Sequence, residues 1–240
     1  MKIAIMQPYF FPYLGYFQLI KHTDLFVLFD DVQYIRHGWV NRNRILKPEK
    51  DWQYIIAPLQ VHQQSTLIKD IKVHDGDDWK IKILRQIEHY KKRSPYYRET
   101  KQIIEECFNA NYNYSLTKFN ALALQKICNY IELPLNLEIS SEENYDYSNV
   151  NDAGEWALRI CEQIGAITYI NPPGGKDLFD PQKYKQSNIE LCFLTPGNIS
   201  YSQRRNGIIE SGLSIIDVLM FNSPEQIQQL LNQCEIQIAQ

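Results

Sequence analysis

The chain lacks most of the signatures that mark common enzyme classes. It contains no G-x-S-x-G, H-E-x-x-H, C-x-x-C or G-x-G-x-x-G segment and no G-x-x-x-x-G-K-[ST] frame. Support is thereby withdrawn from esterase-like, zincin, thiol-redox, dinucleotide-dependent and P-loop chemistry. There is no internal repeat, low-complexity tract or Gly/Ser linker, so a solenoid or a flexibly joined pair of modules is not indicated. There is also no excess of one charge. The formal net charge is −3 and the pI about 6.0, with acids and bases interspersed, so neither nucleic acid nor an anionic membrane is expected as a partner. No run reaches the ~18 apolar residues of a spanning helix, and the start lacks a cationic leader with a cleavage site, so no membrane insertion and a cytoplasmic location are expected. The five cysteines, Cys107, Cys128, Cys161, Cys192 and Cys234, are odd in number, far apart and set in apolar periodic segments, which reads as reduced core residues rather than metal ligands or disulfides.

With 44% apolar and 22% charged residues over 240 positions, a sizeable core can form. "KIAIMQ" reads as a strand, "QPYFFPY" (7–13) as a proline-stiffened loop, "LGYFQLIKH" as a helix and "DLFVLFDD" (24–31) as a strand buried on both faces. Together they make a βαβ unit. "WVNRNRIL" (39–46) and "WQYIIAPL" (52–59) read as strands joined by "KPEKD", and "STLIKDIKV" (65–73) as another. From Asp77 the apolar period changes to three and four, giving a helical block over about 77–133 in which Ser115 is an N-cap. "LEISSE" is then a strand, "NDAGEWALRICEQIG" a helix closed by Gly165, and "AITYIN" and "SNIELCFLT" strands, with "LSIIDVLMFNS" and "SPEQIQQLLNQC" as final helices. The expected architecture is one α/β domain over 1–240 with the helical block inserted. In such a fold ligands bind beyond the carboxyl ends of the strands, which puts "QPYFFPY" and "DDVQYIRHG" at a cleft.

The aromatic loop is then a candidate wall, with Tyr9, Phe11 and Tyr13 as ring faces and Gln7 as a donor and acceptor. In "VNRNRI", extended backbone puts Asn41 and Asn43 on one side and Arg42 and Arg44 on the other. The guanidinium pair suits a pyrophosphate or carboxylate, and an exposed edge strand with solvated charges is the alternative. His37 is the best-placed of the five histidines for a general base, with His62 second, and Asp31 is a candidate proton acceptor beside Asp30. The aspartates could instead pair with the arginines or hold Mg²⁺. "NPPGGKDLFD" offers Gly175 and Lys176 to a phosphate, with a tight turn and exposed lysine as the other reading. "NISYSQRRNG" adds Tyr201, Gln203, Arg204 and Arg205 as a second such loop.

On "MKIAIMQPYFFPYLGYFQLI", "DDVQYIRHGWVNRNRIL", "YINPPGGKDLFD" and "GLSIIDVLMFN" the chain resembles the WbqC-like family of bacterial O-antigen gene clusters, over nearly its whole length. The resemblance implies transfer of glycine onto an amino sugar destined for surface polysaccharide. It also implies motif positions at Gln7, Tyr9, Tyr13, Asp31, Gln33, Gly38, Asn41, Arg42, Asn43, Arg44, Gly175, Leu213, Ser214 and Asp217. In pattern the first strand, loop and helix are also similar to nucleotidylyl-transferase-like proteins, although Tyr16 stands where their helix start has histidine. The fold expected is therefore nucleotidylyl-transferase-like or another Rossmann-like parallel sheet.

Two functions fit. One is an aminoacyl transferase or amide ligase on a nucleotide-linked amino sugar, its glycyl or other acyl group arriving activated, with ATP and Mg²⁺ as the cofactors an adenylate route calls for. The other is a non-catalytic binding partner in the same pathway. Self-association into a homo-oligomer is left open, and a packed polar core formed by Gln7, the rings and the arginines is the reading without a ligand.

Overall fold

Strand β1 (Lys2–Met6) is buried because its alternate side chains enter two different hydrophobic layers, Ala4 one and Ile3 and Ile5 the other. The computed structural model describes residues 1–49, 51–203 and 209–239. After β1 come α1 (Leu14–Lys21), β2 (Leu25–Leu28) and a hairpin of β3 (Arg42–Leu46) with β4 (Trp52–Ile56). The helical block follows as α2 (Asp78–Ile87), α3 (Tyr97–Asn109) and α4 (Leu116–Tyr130), the last capped by the Ser115 side chain, which accepts from the Lys118 N–H. The α/β alternation then resumes with β5 (Leu137–Ile139), α5 (Glu155–Ile164), β6 (Thr168–Asn171), α6 (Pro181–Gln186) and β7 (Glu190–Pro196), and the chain ends in α7 (Ile215–Phe221), α8 (Pro224–Leu231) and β8 (Cys234–Ile238). Gly165 closes α5 at φ 70°, a left-handed conformation that costs glycine little.

The six-stranded sheet runs β5-β2-β1-β6-β7-β8, parallel except for the antiparallel β8 on its edge. Taken in chain order, the five parallel strands lie 3-2-1-4-5, a doubly wound, Rossmann-like arrangement whose order reverses between β1 and β6. One face is covered by α5 and α6, where Ile3, Val27, Tyr169 and Leu191 meet Leu158 and Tyr184. The other face joins a larger core that continues through Phe10, Phe11 and Phe17 to Trp79, Phe108 and Phe119 of the helical block.

Three segments depart from expectation. Residues 65–73 do not form a strand. Ile68–Asp70 is a 3₁₀ turn, since the buried Ile68, Ile71 and Val73 recur at spacings that a two-residue period cannot serve, and isolated bridges at Leu67, Lys72 and Val73 tie the segment to three neighbours. The loop after β6 winds as a 3₁₀ turn over Pro173–Leu178 and leads into α6, which Asp180 caps through the Gln182 N–H. The third is β8, an edge strand mostly open to solvent, which leaves little apolar alternation to read.

Residues 7–13 are fixed by side chains arriving from distant segments. The Gln7 carbonyl accepts from the Tyr16 hydroxyl at 2.9 Å. The Pro8 carbonyl accepts from Asn120 Nδ2 at 2.7 Å, and that amide also donates to the Val40 carbonyl at 2.9 Å. Asn43 Nδ2 donates to the carbonyls of Phe10 and Phe11 at 3.1 and 2.8 Å, Ser214 Oγ donates to Phe11 at 2.7 Å, and the Ile215 N–H to Pro12 at 2.7 Å. Phe11 is held at φ 41°, an unfavourable region for a bulky side chain that persists only where surrounding contacts over-determine it. Truncating Asn120, which is fully buried, strands two carbonyls without donors. Asn120→Ala is therefore expected to cost about 2–4 kcal/mol in a denaturant unfolding curve.

Candidate functional site

At the point where the strand order reverses, the carboxyl ends of β1 and β6 diverge: their pairing extends only over Lys2 and Ile3. Beyond them opens a cleft of about 790 Å³, a size suited to a small-molecule ligand. Gln7, Tyr9 and Tyr13 line it from the loop after β1, and Phe29, Val32, Gln33, Ile35 and Trp39 from the segment after β2. Ala153 and Trp156 enter from the amino end of α5, and Tyr169, Asn171, Gly175 and Phe179 from β6 and its loop. The walls are braced by ring contacts, Phe29 to Trp156 at 5.5 Å, Tyr9 to Tyr16 at 5.6 Å and Tyr169 to Phe179 at 5.5 Å between centroids.

The polar groups in the cleft are neutral. Gln7, Tyr9 and Tyr13 are half-buried, and among the described residues neither the Gln7 amide nor the two hydroxyls has a hydrogen-bond partner. Burial raises the Tyr9 phenol, and burial with the neighbouring Tyr9 pushes Tyr13 up to about 12, so both stay protonated donors at neutral pH. Asn171 is oriented by its neighbours, its Oδ1 accepting from the Tyr169 hydroxyl and its Nδ2 donating to the Pro172 carbonyl, both at 3.0 Å. Gly175 leaves room for that amide, since a Cβ there would lie 2.6 Å from Asn171 Nδ2. Among the described residues no Asp, Glu, His, Lys or Arg lines the cleft.

Of the residues singled out in the sequence, Gln7, Tyr9, Tyr13, Gln33 and Gly175 are brought together here, and the rest are not. Phe11 is fully buried, packed edge-on to Phe108 and Phe119, so its ring belongs to the core and not to the cleft wall. His37 sits exposed at φ 66° on the outside of its loop, with Arg42 donating to its carbonyl and to that of Gly38, so it does not reach the cleft. Asp31 is tied back by Lys69 at 2.9 Å and by the Tyr147 hydroxyl at 3.0 Å. Asp30 accepts from Ser140 and Ser141, so neither aspartate pairs with the arginines. Burial raises the Asp30 carboxyl above its ordinary value in spite of those serines. This pair offers no open carboxylate to Mg²⁺, and no cluster of three His, Cys, Asp or Glu side chains that could hold a metal occurs among the described residues.

The two amides of the hairpin are structural: Asn41 bridges the Tyr34 hydroxyl and the Ala57 carbonyl, and Asn43 holds the aromatic loop. Arg42 stacks 4.3 Å from the Tyr54 ring and Arg44 lies between Trp39 and Trp52, both on the hairpin face and outside the cleft. Lys176 is exposed and lies outside the cleft lining. Tyr201 and Gln203 instead donate to the buried Asp217, at 2.6 and 3.1 Å. Arg204 and Arg205 lie outside the described residues. Trp39, Trp156, Asn171 and Phe179 were not among the sequence candidates. Only Asn171 carried a usable signal, as the first polar residue after a predicted buried strand.

Fold and site define an α/β Rossmann-like protein with a neutral, aromatic-lined cleft at its switch point. The chain belongs to the WbqC-like protein family, whose model matches residues 7–229. It is similar to an uncharacterised protein of Mycobacterium tuberculosis, Rv1507c, with 30% identity over 240 residues, covering 97% of this chain and 98% of that one. No solved structure matches the chain.

The raised Tyr13 phenol has a measurable consequence. The folded chain keeps a proton that the unfolded chain releases near the ordinary value of 10.0, so Tyr13 removes stability as pH rises from about 10 toward 12. In a phenolate absorbance titration, Tyr13→Phe should leave the amplitude below pH 11 unchanged; a smaller amplitude there would show an ordinary, solvated phenol.

Proposed function

We propose that the protein binds a nucleotide-linked amino sugar in the switch-point cleft and promotes transfer of an activated acyl group, glycyl being favoured, to the sugar amine. The product would serve O-antigen or other surface-polysaccharide synthesis, as the sequence resemblance implies. The observation that carries the reading is the set of half-buried polar groups on Gln7, Tyr9 and Tyr13, without hydrogen-bond partners among the described residues, within ring-lined walls. Sugars offer apolar ring faces and neutral hydroxyls, and rings with amides and phenols complement both.

The chemistry asked of such a cleft is orientation rather than side-chain acid–base work. The amine nitrogen attacks the acyl carbonyl, the C–N bond forms, and the bond from carbon to the leaving group breaks with its electron pair going to that group. The proton lost by the amine passes to the leaving group or to solvent at the cleft mouth. A weakly polar cleft disfavours an ammonium, which keeps the amine in its nucleophilic form without a neighbouring base. A second reading, binding without turnover, is favoured by one observation: neither His37 nor Asp31 reaches the cleft, and no carboxylate or imidazole is among its described lining residues.

Mass spectrometry separates the two. A dTDP-linked 4-amino-4,6-dideoxy sugar incubated with protein, glycine, ATP and Mg²⁺, or with acyl-CoA thioesters instead, should gain one acyl group in one of the reactions. Gln7→Ala should lower the rate at limiting sugar by about tenfold, the worth of one or two lost hydrogen bonds. A sugar that raises the melting temperature and is never modified supports binding alone.

A further inference from the structure

We propose that the switch-point cleft and a smaller cleft beside it form one bipartite site, which takes a nucleotide-linked sugar lengthwise with its diphosphate on Arg44. This rests on the function proposed above and adds where the nucleotide half goes. The smaller cleft, about 350 Å³, opens at the carboxyl end of β7, between residues 196–199 and 209–213. Tyr13 is a wall of both clefts. That wall stays thin because Gly15 has no side chain: a Cβ there would lie 2.5 Å from the Tyr13 ring.

Arg44 lines neither cleft but touches a lining residue of each. Its guanidinium lies 5.4 Å from the centroid of Trp39, which lines the larger cleft, and donates from Nη2 at 3.1 Å to the carbonyl of Gly212, which lines the smaller. Trp52 stacks on it at 5.0 Å and helps fix its plane. Arg42 is engaged by the carbonyls of His37 and Gly38, whereas among the described residues neither Nη1 nor the buried Nε of Arg44 has a hydrogen-bond partner. No carboxylate among the described residues forms an ion pair with Arg44. A guanidinium with its plane fixed, Nη1 open and no ion-paired carboxylate among the described residues is suited to a phosphate. With the sugar in the larger cleft, the nucleoside falls in the smaller one, where Tyr13 and Tyr201 give ring faces and the Glu210 carboxylate can accept from the 3′-hydroxyl of the pentose.

Calorimetric titration of dTDP and of a dTDP-linked amino sugar tests this. Ser211→Phe, which fills the smaller cleft from an exposed position, should weaken both ligands by about tenfold or more, and Arg44→Met should do the same and flatten the salt dependence. Gln7→Ala should weaken the sugar nucleotide and leave dTDP unchanged. Wild-type affinity for dTDP in Ser211→Phe, or no binding of dTDP to the wild-type protein, overturns the proposal. If Arg44→Met does not fold, Ser211→Phe decides alone. Unchanged sugar-nucleotide binding in Gln7→Ala, with both other effects present, would instead overturn the assignment of the sugar to the larger cleft.

Discussion

The structure depends on satisfying the carbonyls of residues 7–13. This segment turns out of β1 into the interior, where unpaired backbone oxygens are costly. Prolines at 8 and 12 remove two N–H donors that would also need partners. The carbonyls of Gln7, Pro8, Phe10, Phe11 and Pro12 are met by Tyr16 of α1, Asn120 of α4, Asn43 of β3, Ser214 at the cap of α7 and the backbone of Ile215. Helix, hairpin, helical block and C-terminal segment thus converge on one loop, and the cleft wall inherits their rigidity. A wall fixed in advance lowers the ordering cost of binding.

The same loop divides its rings by environment. Phe10 and Phe11 turn inward, Phe10 stacking 5.6 Å from Phe119, and tie the helical block to the sheet. Tyr9 and Tyr13 turn to the cleft, where a hydroxyl can stay near solvent. The phenols follow from that placement: a ring with one polar end belongs at a half-buried wall and a plain ring belongs in the core.

Charge is kept behind the cleft rather than in it. Asp31 is neutralised by Lys69, and Asp217 is buried with the hydroxyls of Tyr90 and Tyr201 and the Gln203 amide on its oxygens. Tyr90 in turn accepts from the Leu46 N–H, so this carboxylate couples α7, the helical block and the hairpin. Asp31, Tyr201, Gln203 and Asp217 here hold loops against the body.

The sequence by itself determined the parallel α/β body, the helical block and the segments that reach the carboxyl edge, because burial leaves a period in the chain and strand ends leave loops between periods. It also placed Gln7, Tyr9, Tyr13, Gln33 and Gly175 together, since topology alone sends those loops to one crevice. Which way a loop side chain turns has no period. That Phe11 faces inward while Tyr13 faces the cleft, that Asn41 and Asn43 bind backbone while Arg44 keeps Nη1 open, and that Trp39 and Trp156 line the same cleft were decided by the tertiary structure. Each of those orientations is set by a partner far along the chain, and no local pattern carries a partner's position.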